Sequence, residues 1–188
     1  MKKGIGIKII IIGALLAALV VGYFFYLSRK VEDREEEVIE STAVQLVLNR
    51  DLTKSYPPSP NEVVRFFNDV TQCFYNESYT DDELYDLAMK IQEVYDDELI
   101  ANKTQEQYLE DLKSDIAVMK KGDRSISSYE LYASTDVEFF TENDDNCARL
   151  YCTYNIREGT KMLRTMVVFI LRQDEDQHWK IMGWDKAD

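Results

Sequence analysis

The fold is decided by residues 148–171, ARLYCTYNIREGTKMLRTMVVFIL. Side chains alternate between two faces in the first half, and the same two-residue period resumes after a Glu158-Gly159 turn. One face carries most of the apolar side chains, at Ala148, Leu150, Cys152, Tyr154, Ile156, Leu163, Val167, Phe169 and Leu171, together with Thr165. This pattern predicts a long antiparallel hairpin with one buried face.

The segments on either side of this hairpin also have the character of strands. Residues 124–139 alternate in the same way, with Tyr129 and Phe139 on the apolar face. The stretch HWKIMGW at residues 178–184 follows a polar DEDQ turn and reads as a closing strand. Together these segments predict an antiparallel sheet of four strands.

Three amphipathic helices precede the sheet. Ser59 is an N-cap and Pro60 occupies the first turn of the first helix, directly after the proline-rich SYPPSP stretch. Capping boxes beginning at Thr80 and Thr104 start the other two helices, and Gly122 follows the last. Helices followed by antiparallel strands predict an α+β domain over residues 57–188, with three helices packed on the sheet.

Residues 9–27, IIIIGALLAALVVGYFFYL, contain no charged side chain. As a helix, this run is about 28 Å long, which matches the hydrocarbon thickness of a bilayer. It predicts a transmembrane helix in contact with lipid from Ile9 to Leu27, after a cytoplasmic tail at 1–8 and before a helical stalk at 28–56. The alternative is a signal peptide cleaved after Gly22, but bulky aromatic residues follow that position at once.

Basic residues are equally numerous on the two sides of this run, so they do not fix its orientation: Lys2, Lys3 and Lys8 before it, Arg29, Lys30 and Arg34 after it. The short N-terminal tail is the costlier segment to translocate, which favours a single-pass protein of the cell membrane with an extracytoplasmic domain. Ala14, Ala18 and Gly22 recur at a spacing that allows close approach of two helices, so a homodimer is an alternative to a single chain.

The charge of the domain excludes one class of partner. Residues 57–188 hold 14 of the 22 Lys and Arg and 28 of the 35 Asp and Glu, a net charge of −14. Such a domain repels phosphate backbones, so nucleic-acid binding is not expected. The acidic clusters lack the ligand spacing of a calcium loop, and no metal or other cofactor is predicted.

The three cysteines do not form a recognisable framework. Cys147 and Cys152 are five residues apart in one predicted strand, or roughly 16 Å, which exceeds disulfide reach. A bond between Cys73 and Cys152 remains open, but buried free thiols are the favoured interpretation.

Two resemblances add to this interpretation. The order of elements from SYPPSPNEVV to the closing strand WKIMGW resembles the nuclear transport factor 2-like (cystatin-like) fold. That resemblance implies helices in the concave face of a strongly curved sheet, forming a cone with a pocket. Through KKGIGIKIII, SYPPSPNEVV, ISSY, STDVEFFTE and LYCTYNIREGT, the whole chain resembles a family of uncharacterised single-span proteins of Gram-positive bacteria, a domain of unknown function. No activity is implied by it.

Four residues are candidates for lining such a pocket. Tyr129 and Tyr154 face the helices by alternation. Asp136 alternates toward solvent but would enter the cone if its strand kinks, and Asp115 on the third helix is a similar candidate. The lone His178 has no placed partner, and no catalytic set is recognisable.

The sequence therefore favours a membrane-anchored, extracytoplasmic and non-enzymatic domain that binds an envelope protein or a small ligand. A scaffold subunit of a secretion or cell-envelope complex is one alternative, because tethered domains of the resembled fold occur in such assemblies. A lyase or isomerase that uses a carboxylate in the cone is another.

Overall fold

In a computed structural model of the chain, the described residues are 42–187. The tail at 1–8, the run at 9–27 and the stalk up to residue 41 lie outside them. Within 42–187, no helix has the length and apolar character needed to cross a bilayer. The elements, in chain order, are α1 Ala43–Leu48, α2 Pro60–Asn76, α3 Asp81–Gln92, α4 Asp97–Ala101, α5 Gln105–Lys121, β1 Arg124–Leu131, a 3₁₀ turn Ser134–Asp136, β2 Glu138–Glu142, β3 Asp145–Glu158, β4 Lys161–Gln173 and β5 Trp179–Lys186.

The predicted hairpin is the centre of a curved antiparallel sheet. β3 pairs with β4 along nearly its whole length, from Cys147↔Arg172 to Glu158↔Lys161. β5 extends the sheet beyond β4, while β1 and β2 both pair with the other edge of β3. The α+β class and the hairpin are confirmed.

The sheet has five strands rather than the predicted four. The segment taken as one strand over residues 124–139 breaks at Ser134-Thr135-Asp136, where the Asp136 N–H donates to the Ala133 carbonyl at 2.8 Å. Short polar side chains favour such turns over a sheet ladder. β1 therefore leaves the edge of β3, and the chain returns to the same edge as β2.

The three predicted helices are confirmed as α2, α3 and α5. Ser59 accepts from the Glu62 N–H at 3.3 Å, and both predicted capping boxes are present. Two short helices, α1 and α4, were not predicted as separate elements. In α4 the Asp96 side chain caps the first turn by accepting from the Glu98 N–H.

Part of the segment assigned from the sequence to the stalk is packed into the folded unit. Val44, Val47 and Leu52 belong to the hydrophobic core. The Tyr56 hydroxyl donates to the Trp179 carbonyl at 2.9 Å, which ties this segment to the start of β5. The compact unit consequently begins at Thr42, because the apolar residues of α1 are covered by α2 and α3.

The core lies between α1–α3 and the sheet. Phe66 and Leu87 from the helices and Leu150, Phe169 and Ile181 from the sheet are fully buried. We expect this closely packed half of the domain to contribute most of its stability.

Candidate functional site

A cavity of about 570 Å³ opens on the concave face of the sheet, between the helices and the inner side chains of β1, β3, β4 and β5. Its wall is mainly apolar and aromatic: Phe67, Phe74, Tyr75, Ile91, Tyr95, Leu99, Ile100, Tyr108, Leu112, Met119, Ile126, Tyr154, Ile156, Val167 and Trp184. The volume and the lining match those of small-molecule sites in proteins.

The cavity exists because α5 does not pack closely on the sheet. Ile116 is the one residue of α5 that is buried, whereas Leu112 and Met119 are half-buried and face the cavity. The inner face of the sheet below offers the small Thr165, and Trp184 stays 43% exposed. An amphipathic helix thus covers an apolar surface without filling the space beneath it.

Three tyrosines place neutral phenols on the cavity wall: Tyr75 from α2, Tyr108 from α5 and Tyr95 from the connection between α3 and α4. Burial raises the pKa of Tyr108 to about 12, and it raises the pKa of Tyr75 and, more strongly, of Tyr95. These hydroxyls therefore remain protonated at neutral pH and offer uncharged hydrogen-bonding groups.

Tyr154 joins the cavity to a buried polar network. Its hydroxyl donates to Asn68 Oδ1, and Asn68 Nδ2 donates to Cys152 Sγ at 3.6 Å. Asn68 and Cys152 are fully buried, and burial raises the pKa of the Tyr154 hydroxyl. Since that hydroxyl is bound to Asn68, Tyr154 contributes mainly its ring to the cavity.

Of the four residues predicted to line a pocket, two do so. Tyr154 and Asp115 line the cavity, with Asp115 exposed at its rim. Tyr129 is not among the lining residues, because its hydroxyl instead donates to Asp69 Oδ1 at 3.1 Å. Asp136 lies exposed on the 3₁₀ turn, outside the cavity.

The rim carries the few charged groups of the site. Lys103 forms an exposed salt bridge with Asp111 at 2.5 Å, and both residues line the cavity together with Asp115. Within residues 42–187, no cluster of three or more His, Cys, Asp or Glu side chains is arranged to hold a metal ion. The cysteines Cys73, Cys147 and Cys152 are buried and free, and burial raises the pKa of the Cys73 thiol to about 11.

Sequence reasoning did not single out Tyr75, Tyr95, Tyr108 or Trp184 as residues of the cavity. One available signal was chemical. Tyrosine rather than phenylalanine stood at inward positions of the helices, and a buried tyrosine needs a partner or a wet surface. A second signal was the apolar face of α5, which is sparser than that of the closely packed α2.

These features define a mixed α+β domain with an open apolar cavity on the concave side of a curved sheet. The chain belongs to the family described as a domain of unknown function (DUF6715), whose pattern matches residues 1–184. This agrees with the resemblance to an uncharacterised family. No curated protein matches the chain.

Proposed function

We propose that this protein is a non-enzymatic binding domain whose cavity takes a small, uncharged and largely apolar molecule with a ring. The observation that carries the proposal is the 570 Å³ cavity, with its apolar wall and neutral phenols. A ligand of that kind would replace water on the rings and accept from or donate to a tyrosine hydroxyl.

The distribution of charge supports an uncharged ligand. The ionic side chains on the cavity are at the rim, where Lys103 is already paired with Asp111. A charged group placed deeper would lose its hydration without gaining an opposite charge, which is costly. Polar groups at the rim would then orient the ligand rather than supply the binding energy.

The second part of the proposal concerns location. The apolar run at 9–27 has the length of a membrane span and lies within the family pattern at residues 1–184, which supports a membrane anchor. The short N-terminal tail favours an extracytoplasmic domain. The curved sheet with helices on its concave side likewise supports the nuclear transport factor 2-like interpretation. Reporter fusions at residue 188 that are active only in the cytoplasm would overturn this location.

Ligand binding can be tested with 5-fluoroindole, an uncharged aromatic probe, by fluorine NMR on the full chain. We expect saturable line broadening with the wild type and its loss in Thr165→Phe, because Thr165 lies on the inner face of β4 and its enlargement would fill the cavity. Met166→Phe is the matched control, since the next residue of the same strand points to the other face. Equal broadening in all three proteins would contradict the proposal and indicate partition into lipid.

A lyase or isomerase is the second candidate, because Asp115 and Tyr154 both line the cavity. Two features weigh against it: Asp115 is exposed, and the Tyr154 hydroxyl is bound to Asn68. Base catalysis would accelerate exchange of the α-protons of cyclohexanone in heavy water, and Asp115→Asn would abolish the acceleration. We expect no acceleration by either protein.

A further inference from the structure

One end of the domain is basic although the domain as a whole is acidic. We call residues 120–125 and 157–164 the basic tip. It holds six cations and two carboxylates, so the rest of residues 57–188 carries a net charge of −18 against the +4 of the tip. The cations are Lys120, Lys121, Arg124, Arg157, Lys161 and Arg164.

The two segments of the basic tip are held together by their backbones. The Gly159 N–H donates to the Asp123 carbonyl at 3.1 Å, and both residues adopt left-handed conformations, with φ of 56° and 50°. Around this contact lies a polar surface concavity of about 490 Å³, lined by Lys120, Arg124 and Arg157 among others. Arg124 pairs with Glu158 at 2.6 Å, so five cations and one carboxylate lie outside this pair and the net charge of the tip stays +4.

Large apolar side chains are exposed beside these cations. Met162 is 56% exposed and Leu163 is 41% exposed, at the start of β4 just after the turn. They lie on opposite faces of the hairpin, since Met162 pairs with Arg157 and Leu163 with Ile156. Exposed apolar residues among cations are typical of surfaces that enter the headgroup region of an anionic bilayer.

The chain enters the domain at this same end. Asn76, the last residue of α2, binds the backbone of Ile126 through both its amide oxygen and its amide nitrogen, at 2.9 and 2.8 Å. In α1, Gln45 Nε2 donates to Glu83 in the first turn of α3, which follows α2 closely. The start of α1 therefore lies at the end of the molecule where β1 begins.

The helical side of this end is acidic, with Glu77 directly after α2 and with Asp81 and Asp82 in the first turn of α3. Tyr79 in that connection lies under the Lys120 ammonium, 5.3 Å from the ring centroid to the nitrogen. The attraction to an anionic surface is consequently greatest on the hairpin side of the tip.

We propose that the basic tip lies on an anionic phospholipid surface, with Met162 and Leu163 among the headgroups and the cations on lipid phosphates. This goes beyond the cavity function and needs no ligand. It sets how the domain stands on the membrane. A domain with net charge −14 would otherwise be repelled from that surface, so the local cations decide which end approaches.

The test uses the full chain with Met162→Cys labelled with an environment-sensitive nitrobenzoxadiazole dye, since the three native thiols are buried. The labelled chain is reconstituted with phosphatidylcholine, with or without phosphatidylglycerol. We expect a blue shift of the dye emission with phosphatidylglycerol, and its loss at high salt or in Lys121→Glu/Lys161→Glu. A label at Glu175→Cys, in the exposed turn at the other end of β4, is the matched control and should not respond.

Each other outcome contradicts the proposal. If the emission of the dye at residue 162 does not shift with phosphatidylglycerol, the basic tip does not reach the lipid. Equal shifts at residues 162 and 175 show that the domain has no preferred end. A response to soluble polyuridylic acid but not to anionic lipid would assign the tip to a different polyanion.

Discussion

The two sides of the helical layer use helices of the same length in different ways, because α2 has a dense apolar face and α5 a sparse one. Val63, Val64, Phe66 and Val70 of α2 are fully buried, whereas in α5 only Ile116 is buried. Both helices have capped N-termini and the same length. From this difference we expect α1–α3 to supply most of the stability of the domain, whereas α4 and α5 cover a cavity and contribute less.

The same truncation on both sides tests this difference in stability most directly. Leu87→Ala in α3 removes a fully buried side chain and should lower the free energy of unfolding by about 3 kcal/mol or more. Leu112→Ala in α5 should cost less than about 1.5 kcal/mol, because that side chain is half-buried and already borders empty space. Urea unfolding followed by tryptophan fluorescence measures both, since the two tryptophans of the chain lie in β5. Equal losses would mean that the two sides are packed alike.

The next largest effect on the free energy of unfolding is expected at the start of α4, where the two sides of the helical layer meet. The Arg172 guanidinium donates two hydrogen bonds of 3.0 and 2.7 Å to the Asp96 carboxylate, and the Asp96 side chain is only 7% exposed. Arg172→Met would leave that carboxylate buried without its partner and should cost roughly 2–4 kcal/mol. Arg149→Met, which breaks an exposed pair with Glu138, should cost less than about 1 kcal/mol.

A second variant separates the charge effect from lost packing at Arg172. Asp96→Asn keeps the oxygen that caps α4 but removes the charge. The double variant Asp96→Asn/Arg172→Met should therefore recover part of the lost free energy. A double variant no more stable than Arg172→Met would show that the buried charge is not the cause.

Removal of two tyrosine hydroxyls, one on each side, should change the free energy of unfolding by smaller amounts. Tyr154→Phe removes the donor to fully buried Asn68 and should lower the free energy of unfolding by about 1–3 kcal/mol. Tyr108→Phe, on the cavity wall, should cost about 1 kcal/mol or less and should instead weaken the binding of 5-fluoroindole. Urea unfolding measures both losses. A larger loss for Tyr108→Phe than for Tyr154→Phe would show that the hydroxyl on the cavity wall, and not the buried network, contributes more to stability.

The smallest predicted effect is a pH dependence on the packed side. Burial raises the pKa of Asp69 above its ordinary value of 3.8, although the hydrogen bond from Tyr129 and the charges of Arg50 and Arg65 lower it. Between the ordinary and the raised value, the folded state binds more protons than the unfolded state. The contribution of Asp69 to the free energy of unfolding therefore falls as the pH rises through that interval and stays lower above it.

Asp69→Asn should remove this fall while still accepting from Tyr129. Urea unfolding of both proteins at intervals from about pH 3 to about pH 7 measures the difference between them. A difference that does not change with pH would show that Asp69 does not titrate with a raised pKa.

The sequence predicted the parts of the fold that local patterns determine. The alternation over residues 148–171 is the β3–β4 hairpin, and the boxes at Thr80 and Thr104 are real helix starts. The break at residues 134–136 was missed, because the alternation of apolar residues continues across it. The docking of α1 was also missed, since its apolar residues fit a stalk as well as a core helix.

The site was less predictable, and the reason is physical. Alternation correctly placed Tyr129 and Tyr154 on the inner face, but it could not show that Asp69 would accept a hydrogen bond from the Tyr129 hydroxyl. Whether an inward residue meets a neighbour or open space depends on the height of each helix above the sheet: α2 brings Asp69 to Tyr129, whereas α5 leaves space beneath it. That height depends on long-range packing, which no local pattern encodes.

The claim on which the account depends is that the space beneath α5 is open. Thr165→Phe adds a ring to the inner face of β4, where it points into the cavity. If the space is open, the free energy of unfolding of the full chain should stay the same or rise by up to about 1 kcal/mol, because the ring is buried without displacing a neighbour. A loss of about 1–3 kcal/mol, as overpacking produces, would contradict the account.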